Sequence, residues 1–360
     1  MKKRTFMFKT FNIRILFVFM LSITMFTAGA QDIDFSQYFN NPTYFNPAYV
    51  GLSTGLKVRL NARKQWTALP GNYNAFSFSA DIADRNIPGA GGIGVIATSN
   101  TEGVGMIKTS TIGIIPAVRI QINRFSVFQL GALVSVVSRR IDWNNLVFSD
   151  QLDPRLGNIG PGSFPKPGSK PIVFPDFSIG GIYQLKLDHV IGTFGIAVHH
   201  ITQPNQSFLQ DVAPLPRKYV AHMDFIIDFQ RNRGYYDRIR DFKINPGVLY
   251  QMQANMRLLA MGVNAYISHV YFGAWFRNEV FRKNSFTTLT WLVGLDVPFN
   301  DNSRMKIMYS FDMNTSRNTN FTGPSHEVSL IFELDNARLI YPKRFGHRKI
   351  SRNTLECSPF

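Results

Sequence analysis

Between Arg304 and Phe332 polar and apolar residues alternate with a period of two, a pattern that an extended strand satisfies and a helix does not. Met305, Ile307, Tyr309, Phe311 and Met313 fall on one side, Arg304, Lys306, Ser310 and Asp312 on the other, with Met308 out of step. A polar stretch rich in Asn, Thr and Gly follows. The alternation then resumes as His326, Val328, Leu330 and Phe332 against Glu327, Ser329 and Glu333. Successive strand side chains point to opposite faces, so this is a hairpin with one greasy and one polar side.

The same pattern recurs along the chain. Leu56, Val58, Leu60 and Ala62 alternate with Lys57, Arg59, Asn61 and Arg63, and Phe76, Phe78, Ala80 and Ile82 with Ser77, Ser79 and Asp81. Ile112, Ile114, Val118 and Ile120 oppose Thr109, Thr111, Gly113, Arg119 and Gln121; Leu289, Trp291, Val293 and Leu295 oppose Thr288, Thr290, Gly294 and Asp296. About fourteen such segments are read, near 56–66, 73–83, 92–99, 108–121, 125–138, 175–187, 192–202, 217–229, 242–252, 256–266, 268–278, 285–297, 304–313 and 324–334. Most approach the ~10 residues a tilted membrane strand needs, and an even count suits a single-chain bacterial barrel. A secreted β-sandwich has strands of about five to six residues and one core, too little to bury this many apolar faces. The expected fold is all-β: a transmembrane antiparallel β-barrel of about 14 strands in a bacterial outer membrane, with an N-terminal plug-like segment. Such a lumen is wider than wall side chains fill. The aromatic, Pro-rich 31–55 segment and the 139–174 loop are the material expected to occupy it.

The ends of the chain fit an exported protein. Lys2, Lys3, Arg4, Lys9 and Arg14 precede an apolar run from Ile15 to Phe26, and Ala28-Gly29-Ala30 offers small residues for a signal peptidase. The run is short for a bilayer-spanning helix. The predicted organisation is a signal peptide at 1–30, a distinctive segment at 31–55, a barrel at 56–334 and a basic periplasmic tail at 335–360. Cys357 is the single cysteine, so no internal disulfide forms and no Cys/His spacing for structural zinc exists. Charged residues are 17% of the chain, below the roughly 25% of soluble domains. Mean hydropathy is near zero, as expected when apolar residues are hidden in alternation. Removing the five leader cations takes the net charge from +16 to +11. With an export signal and no nucleic-acid-binding motif, that balance points to outer-membrane lipid and lipopolysaccharide, a barrel interior or an acidic protein partner, and not to nucleic acid.

Connection lengths give an orientation. Counted from a periplasmic start, the odd connections are external and tend to be longer. The fifth, at about 139–174, is the longest, and those near 203–216 and 314–323 are also long. Ile122-Asn123-Arg124 and Leu187-Asp188-His189 are tight even-numbered turns, while Gln230–Asp241 is a long exception. The reading is a multi-pass outer-membrane barrel with both termini periplasmic.

No catalytic constellation assembles. His199 and His200 are adjacent on a strand and so expected on opposite faces, one toward lipid and one toward the lumen, which excludes joint chelation. Asp150, Asp153 and Asn158 lack the spacing of a calcium loop. Gly89-Ala-Gly-Gly-Ile-Gly94 leads into a strand instead of a helix and so reads as a hairpin connection. No Ser-His or Asp-His set emerges, so the expectation is a non-enzyme with no cofactor and no metal.

The first mature segment is the most distinctive. Phe35-Ser-Gln37-Tyr38, Asn41-Pro42 and Tyr44-Phe-Asn46-Pro47-Ala48-Tyr49-Val-Gly51 resemble the opening of the PorP/SprF family of Bacteroidota. The resemblance continues in Arg63-Lys-Gln65-Trp66, Gly91–Gly94, Pro175-Asp176-Phe177 with Gly180, Gly181 and Tyr183, and Ser325–Leu330, covering essentially the whole mature chain. Members often end in a Cys-Pro-Arg-Phe-like tail. Here the end is Cys357-Ser-Pro-Phe360, so no role is assigned to Cys357. The resemblance implies an accessory of type IX secretion or gliding motility, aiding export or surface attachment of a large cargo, often an adhesin. Its partners would be that cargo and type IX secretion components; a passive porin is the alternative. Asn46, Pro47 and Tyr49 are expected to pack a plug, Trp66 to join an interfacial aromatic girdle. Arg338, Lys343, Arg344, Arg348, Lys349 and Arg352 in the tail are candidates for docking an acidic periplasmic partner.

Overall fold

The computed structural model describes residues 32, 34–53, 55–83, 90–153, 155–158, 160, 170–209, 211–229, 242–280, 287–300, 302–315 and 322–334. Residues 1–31, where a leader is expected, and 335–360 lie outside the described residues, and with them Arg338, Lys343, Arg344, Arg348, Lys349, Arg352 and Cys357.

Among the described residues, fourteen long strands close into one antiparallel barrel. They are β1 (Gly55–Lys64), β2 (Asn72–Ala83), β3 (Ala90–Gly103), β4 (Ile107–Gln121), β5 (Ser126–Arg140), β8 (Ile172–Lys186), β9 (Val190–His199), β10 (Lys218–Asp228), β11 (Phe242–Gln253), β12 (Met256–Ile267), β13 (Val270–Glu279), β14 (Thr287–Asn300), β15 (Ser303–Asn314) and β16 (Ser325–Leu334). Two-residue strands β6 (Leu152–Asp153) and β7 (Gly157–Asn158) form a separate hairpin in the longest connection. Every strand expected from alternation is present. The third is the most under-read, because Ser99, Asn100 and Thr101 interrupt the apolar pattern while continuing to pair with β4.

Closure is made by β1 and β16, paired from Leu56↔Leu334 to Lys64↔His326. This register sets Lys57 opposite Glu333 and Arg63 opposite Glu327. Both pairs are ion-paired inside the lumen, at 2.9 and 3.1 Å. Closure removes the free edges that a bilayer would not tolerate.

The two faces sort as the alternation requires. Phe76, Ile112, Ile114, Ile120, Trp291, Val293 and Leu295 are exposed on the outside, where the solvent is lipid. Lys57, Arg59, Asn61, Arg63, Ser77, Ser79 and Asp81 are buried inside. Met308, out of step in the sequence, faces inward. It packs in a lumenal apolar cluster with Ile226, Tyr266, Tyr271 and Leu292. The lumen is thus polar with greasy patches.

The two rims differ. At the Gly55 and Leu334 rim, 122–125, 187–189 and 268–269 are tight; at the opposite rim lie 141–153, 170–171, 200–209, 211–217 and 322–324. The N-terminal segment does not cap one end. Asp32 contacts His200 and Gln253 at the loop-rich rim, while Leu52 meets Arg119 near the end of β4 at the short-turn rim. The chain therefore crosses the whole lumen before β1 begins. Asp32 and Leu334, the first and last described residues, lie at opposite rims. Strand parity alone fixes where β1 starts, not the path of the segment before it.

Candidate functional site

The lumen and the strand of chain threaded through it form the candidate site. Two Asn-Pro pairs shape the thread. Proline's fixed φ and missing N–H suit the first position of a helix, and each pair starts a single turn. Pro42–Phe45 is helix α1, closed by the Asn46 N–H donating to Pro42 O at 2.9 Å. Pro47–Tyr49 is a 3-10 turn capped by Asn46 Oδ1, which accepts from the Ala48 N–H at 3.0 Å.

Near the loop-rich rim the thread is held by charge. His200 bridges two carboxylates, with Nε2 2.7 Å from Asp32 and Nδ1 2.9 Å from Asp176. Burial works against its charge, yet Asp32 and Asp176 overrule it and hold the imidazole pKa up at about 10. Asp32 in turn is held well below the usual carboxylate range: burial opposes ionisation, but His200, Lys218 and a bond from Gln253 favour it. Asp34 pairs with Arg277 and accepts from Gln251. Ser36 lies among Arg63, Arg277 and Asp312, and its N–H donates to Glu327 at 2.7 Å. Arg63 stands 2.7 Å from Asp312, so the network spans β1, β13, β15 and β16. Gln37 adds bonds to Ser310 and to the Glu327 carbonyl.

In mid-lumen the contacts turn apolar. Phe35, Tyr38 and Phe45 are buried against Val220, Leu249 and Trp275. Tyr38 meets Trp275 edge-on at 5.1 Å and Phe39 stacks on it at 5.5 Å. Asn41 accepts from Ser77, and Pro42 is buried.

Toward the short-turn rim the fit becomes backbone-close. Asn46 Nδ2 donates to Gly181 O and Ile196 O, both at 3.2 Å, and contacts His222 Nε2. Tyr49 stacks on His222 and donates to Asp224. Gln129 donates to the carbonyls of Ala48 and Val50. Gly51 has φ 65° and its N–H donates to Asp81; a side chain there would strike the Gly92 Cα. A cavity of about 40 Å³ remains between the thread and Lys57, Arg59, Gln184, Asp224 and Glu333. That is room for a few waters.

The motif residues thus converge on one structure: Phe35, Gln37, Tyr38, Asn41, Pro42, Asn46, Pro47, Ala48, Tyr49 and Gly51 are the thread, and Arg63 and Asp176 are wall residues that hold it. Pro175 pairs with Val136 in β8 beside Asp176. Gln65 only closes the first hairpin, its N–H donating to Tyr73 O. Trp66 sits in that hairpin at φ 51°, half-buried and edge-on to Tyr73. The expectation that one of His199 and His200 faces lipid is corrected. β9 ends at His199 and His200 has φ 56°, so the turn swings its ring inward as well; His199 contacts Phe45 O at 3.0 Å. Asp153 lowers its own pKa by accepting from the Arg155 and Leu156 N–H groups, closing a tight loop turn. Asp34, Ser36, Arg277, Asp312 and Glu327 were not singled out from sequence. Isolated charges on inward strand positions were the available signal.

A closed antiparallel barrel with a lipid-ready exterior and a filled lumen defines an outer-membrane β-barrel protein. The family model for the type IX secretion system membrane protein PorP/SprF matches residues 27–332, and the chain belongs to that family. It is a type IX secretion component of the outer membrane. No curated protein matches. Among solved structures the chain is similar to a Pseudomonas aeruginosa FadL homologue, at 11% identity over 82% of this chain and 94% of that one, with a TM-score of 0.41. The P. putida toluene transporter TodX matches at 10% identity over 82% and 93%, TM-score 0.41. An outer-membrane channel from P. putida F1 matches at 9% over 84% and 99%, TM-score 0.40.

Proposed function

We propose that this barrel is a cargo-specific accessory of type IX secretion, aiding export or surface anchoring of a particular large, adhesin-like protein. The observation that carries the reading is the filled lumen: a barrel crossed by its own chain and sealed by buried ion pairs is built to act through its surfaces. The loop-rich rim, placed outside by the usual asymmetry of such barrels, offers one. There Trp143 stands edge-on to Phe208, Arg139 at the end of β5 lies over the same ring, and Leu215 packs against Val137 and Phe174 of the wall. The basic tail at 335–360, which follows β16 at the other rim, is the proposed handle for an acidic periplasmic partner. Lipid and lipopolysaccharide surround the outer wall. No catalytic step is assigned to it.

The test compares surface and secreted proteomes of a strain lacking this gene with its parent. Loss of one or a few large surface proteins, with general secretion intact, supports the reading and names the client. Unchanged surface proteins sink it in favour of a passive channel, which predicts conductance from the purified barrel.

A further inference from the structure

We infer that the outside of the barrel carries a binding site for a phosphorylated glycolipid of the outer leaflet, with Lys108 of β4 and Arg140 of β5 taking its phosphate and the strand faces beneath them taking its acyl chains. The inference rests on the orientation proposed above, which puts the loop-rich rim outside, and assigns one place on the lipid-facing wall to one class of lipid.

The register carries the argument. β4 and β5 set Lys108 directly opposite Arg140, Ser110 opposite Ser138, Ile112 opposite Val136 and Ile114 opposite Val134. All of these share the outward face: the apolar four are exposed, and they alternate with lumen-facing residues such as Ile115 and Ser135, which are buried. Each row lies about 7 Å below the one before it. From the loop-rich rim toward mid-membrane the wall therefore presents cations, then hydroxyls, then hydrocarbon. A phosphorylated sugar lipid presents phosphate, sugar and acyl chain in that order. β3 widens the hydroxyl row, with Ser99 Oγ 3.5 Å from Ser110 Oγ, and β8 widens the apolar one, with exposed Phe177 opposite Val134.

The cation pair calls for an anion. Like charges directly opposite each other on antiparallel strands are destabilising. Among the described residues neither Lys108 nor Arg140 is ion-paired. Asp142, the nearest acid along the chain from Arg140, accepts from the Asn144 N–H and from Asn145 Nδ2. Glu102 of β3 turns inward with buried Asn100, from which it accepts. A phosphate seated between the two side chains turns their repulsion into two charge-assisted contacts.

The distribution of charge over the whole wall agrees. Among the described strand residues the outward cations are Lys64, Lys108, Arg140 and Arg257, each at or next to the loop-rich end of its strand. No carboxylate among those residues points outward. A basic belt confined to one membrane surface attracts anionic headgroups there. Within the belt only Lys108 and Arg140 are set face to face.

The experiment titrates the full-length barrel in detergent with phosphorylated lipid A, the sugar lipid of lipopolysaccharide, and reads occupancy by native mass spectrometry. Dephosphorylated lipid A and phosphatidylglycerol are the comparison probes. Phosphorylated lipid A is expected to bind roughly tenfold or more tightly than either, and Lys108→Gln with Arg140→Gln to abolish that preference. Lys64→Gln with Arg257→Gln, which removes the same charge elsewhere on the belt, should keep it. Equal binding of the dephosphorylated lipid, or a Lys108/Arg140 variant that binds like its parent, overturns the site. Phosphatidylglycerol bound as tightly as lipid A overturns its assignment to a glycolipid. Heat-modifiable migration checks folding; if the double variant does not fold, Arg140→Gln alone, at an exposed position, supplies the same readout. Orientation is read separately, from antibody binding on intact cells to an epitope inserted after Val212, which is 88% exposed. A hidden epitope beside preserved lipid A binding overturns the orientation and the leaflet. A visible epitope beside absent binding overturns the site and leaves the orientation standing.

Discussion

Arg63 on β1 and Glu327 on β16 face each other across the seam that closes the barrel, 3.1 Å apart. The same carboxylate accepts the Ser36 N–H of the thread at 2.7 Å. One pair therefore joins barrel closure to plug seating, and the seam is fastened a second time near the other rim by Lys57 and Glu333.

Arg63→Ala should cost about 3–5 kcal/mol, the usual penalty for stranding one partner of a buried ion pair. Asp312 and Glu327 would remain buried without their shared cation. Urea unfolding of the barrel in lipid vesicles checks this. A loss below about 1 kcal/mol would mean that Arg277 takes over the pairing.

Gly131→Val should unseat the thread. A Cβ at Gly131 would overlap the Pro47 carbonyl and stand 2.6 Å from Ala48 N, both backbone groups with nowhere to go. The barrel wall itself has room to form, so the expected result is a folded barrel with raised conductance. A variant as closed as the parent would contradict the close approach.

Asn46→Ala should destabilise the barrel by about 2 kcal/mol, because it removes a cap and the buried amide that ties the thread to two wall carbonyls. Asn46 is fully buried and serves Ala48, Gly181 and Ile196 at once. Asn46→Asp should not rescue it, since a carboxylate accepts from Ala48 but donates to neither carbonyl. Chemical unfolding of the three proteins in parallel decides the point.

The hold of His200 on Asp32 should depend on pH. His200 is raised from its ordinary 6.5 to about 10, so its stabilisation is complete below about pH 6.5 and is lost as pH climbs through 10. Asp32 is depressed, so its contribution is complete above its ordinary value of 3.8 and is lost on acidification. The thread is held most firmly between roughly pH 4 and 6.5. The stability gap between the parent and His200→Gln should be widest near pH 6 and close toward about pH 10. A gap that stays flat across that range would show that His200 packs without titrating.

How far the fold and the site could be read from residues differs sharply along the chain. Alternation in Arg304–Met313 and Ser325–Leu334 located both strands and sorted their faces, because strand periodicity is a local property of the backbone. Even Met308 was recognisable as an exception, though not its cause: the Tyr271 and Leu292 that surround it are on other strands. His199 and His200 misled the alternation argument, since a positive φ at the strand end was invisible in the residue types.

The sequence by itself determined an outer-membrane barrel of fourteen strands, which face of each meets lipid, and that Phe35–Gly51 is a distinctive segment. Those features follow from a two-residue period and from residue chemistry, which act over neighbouring positions. The tertiary structure alone decided that this segment runs through the lumen, that Asp32 emerges opposite Leu334, and that Ser36 completes a network with Arg63, Arg277, Asp312 and Glu327. Ser36 and Glu327 are 291 positions apart. Barrel closure is what brings them together, and buried charges that must find partners in the lumen are what select that path.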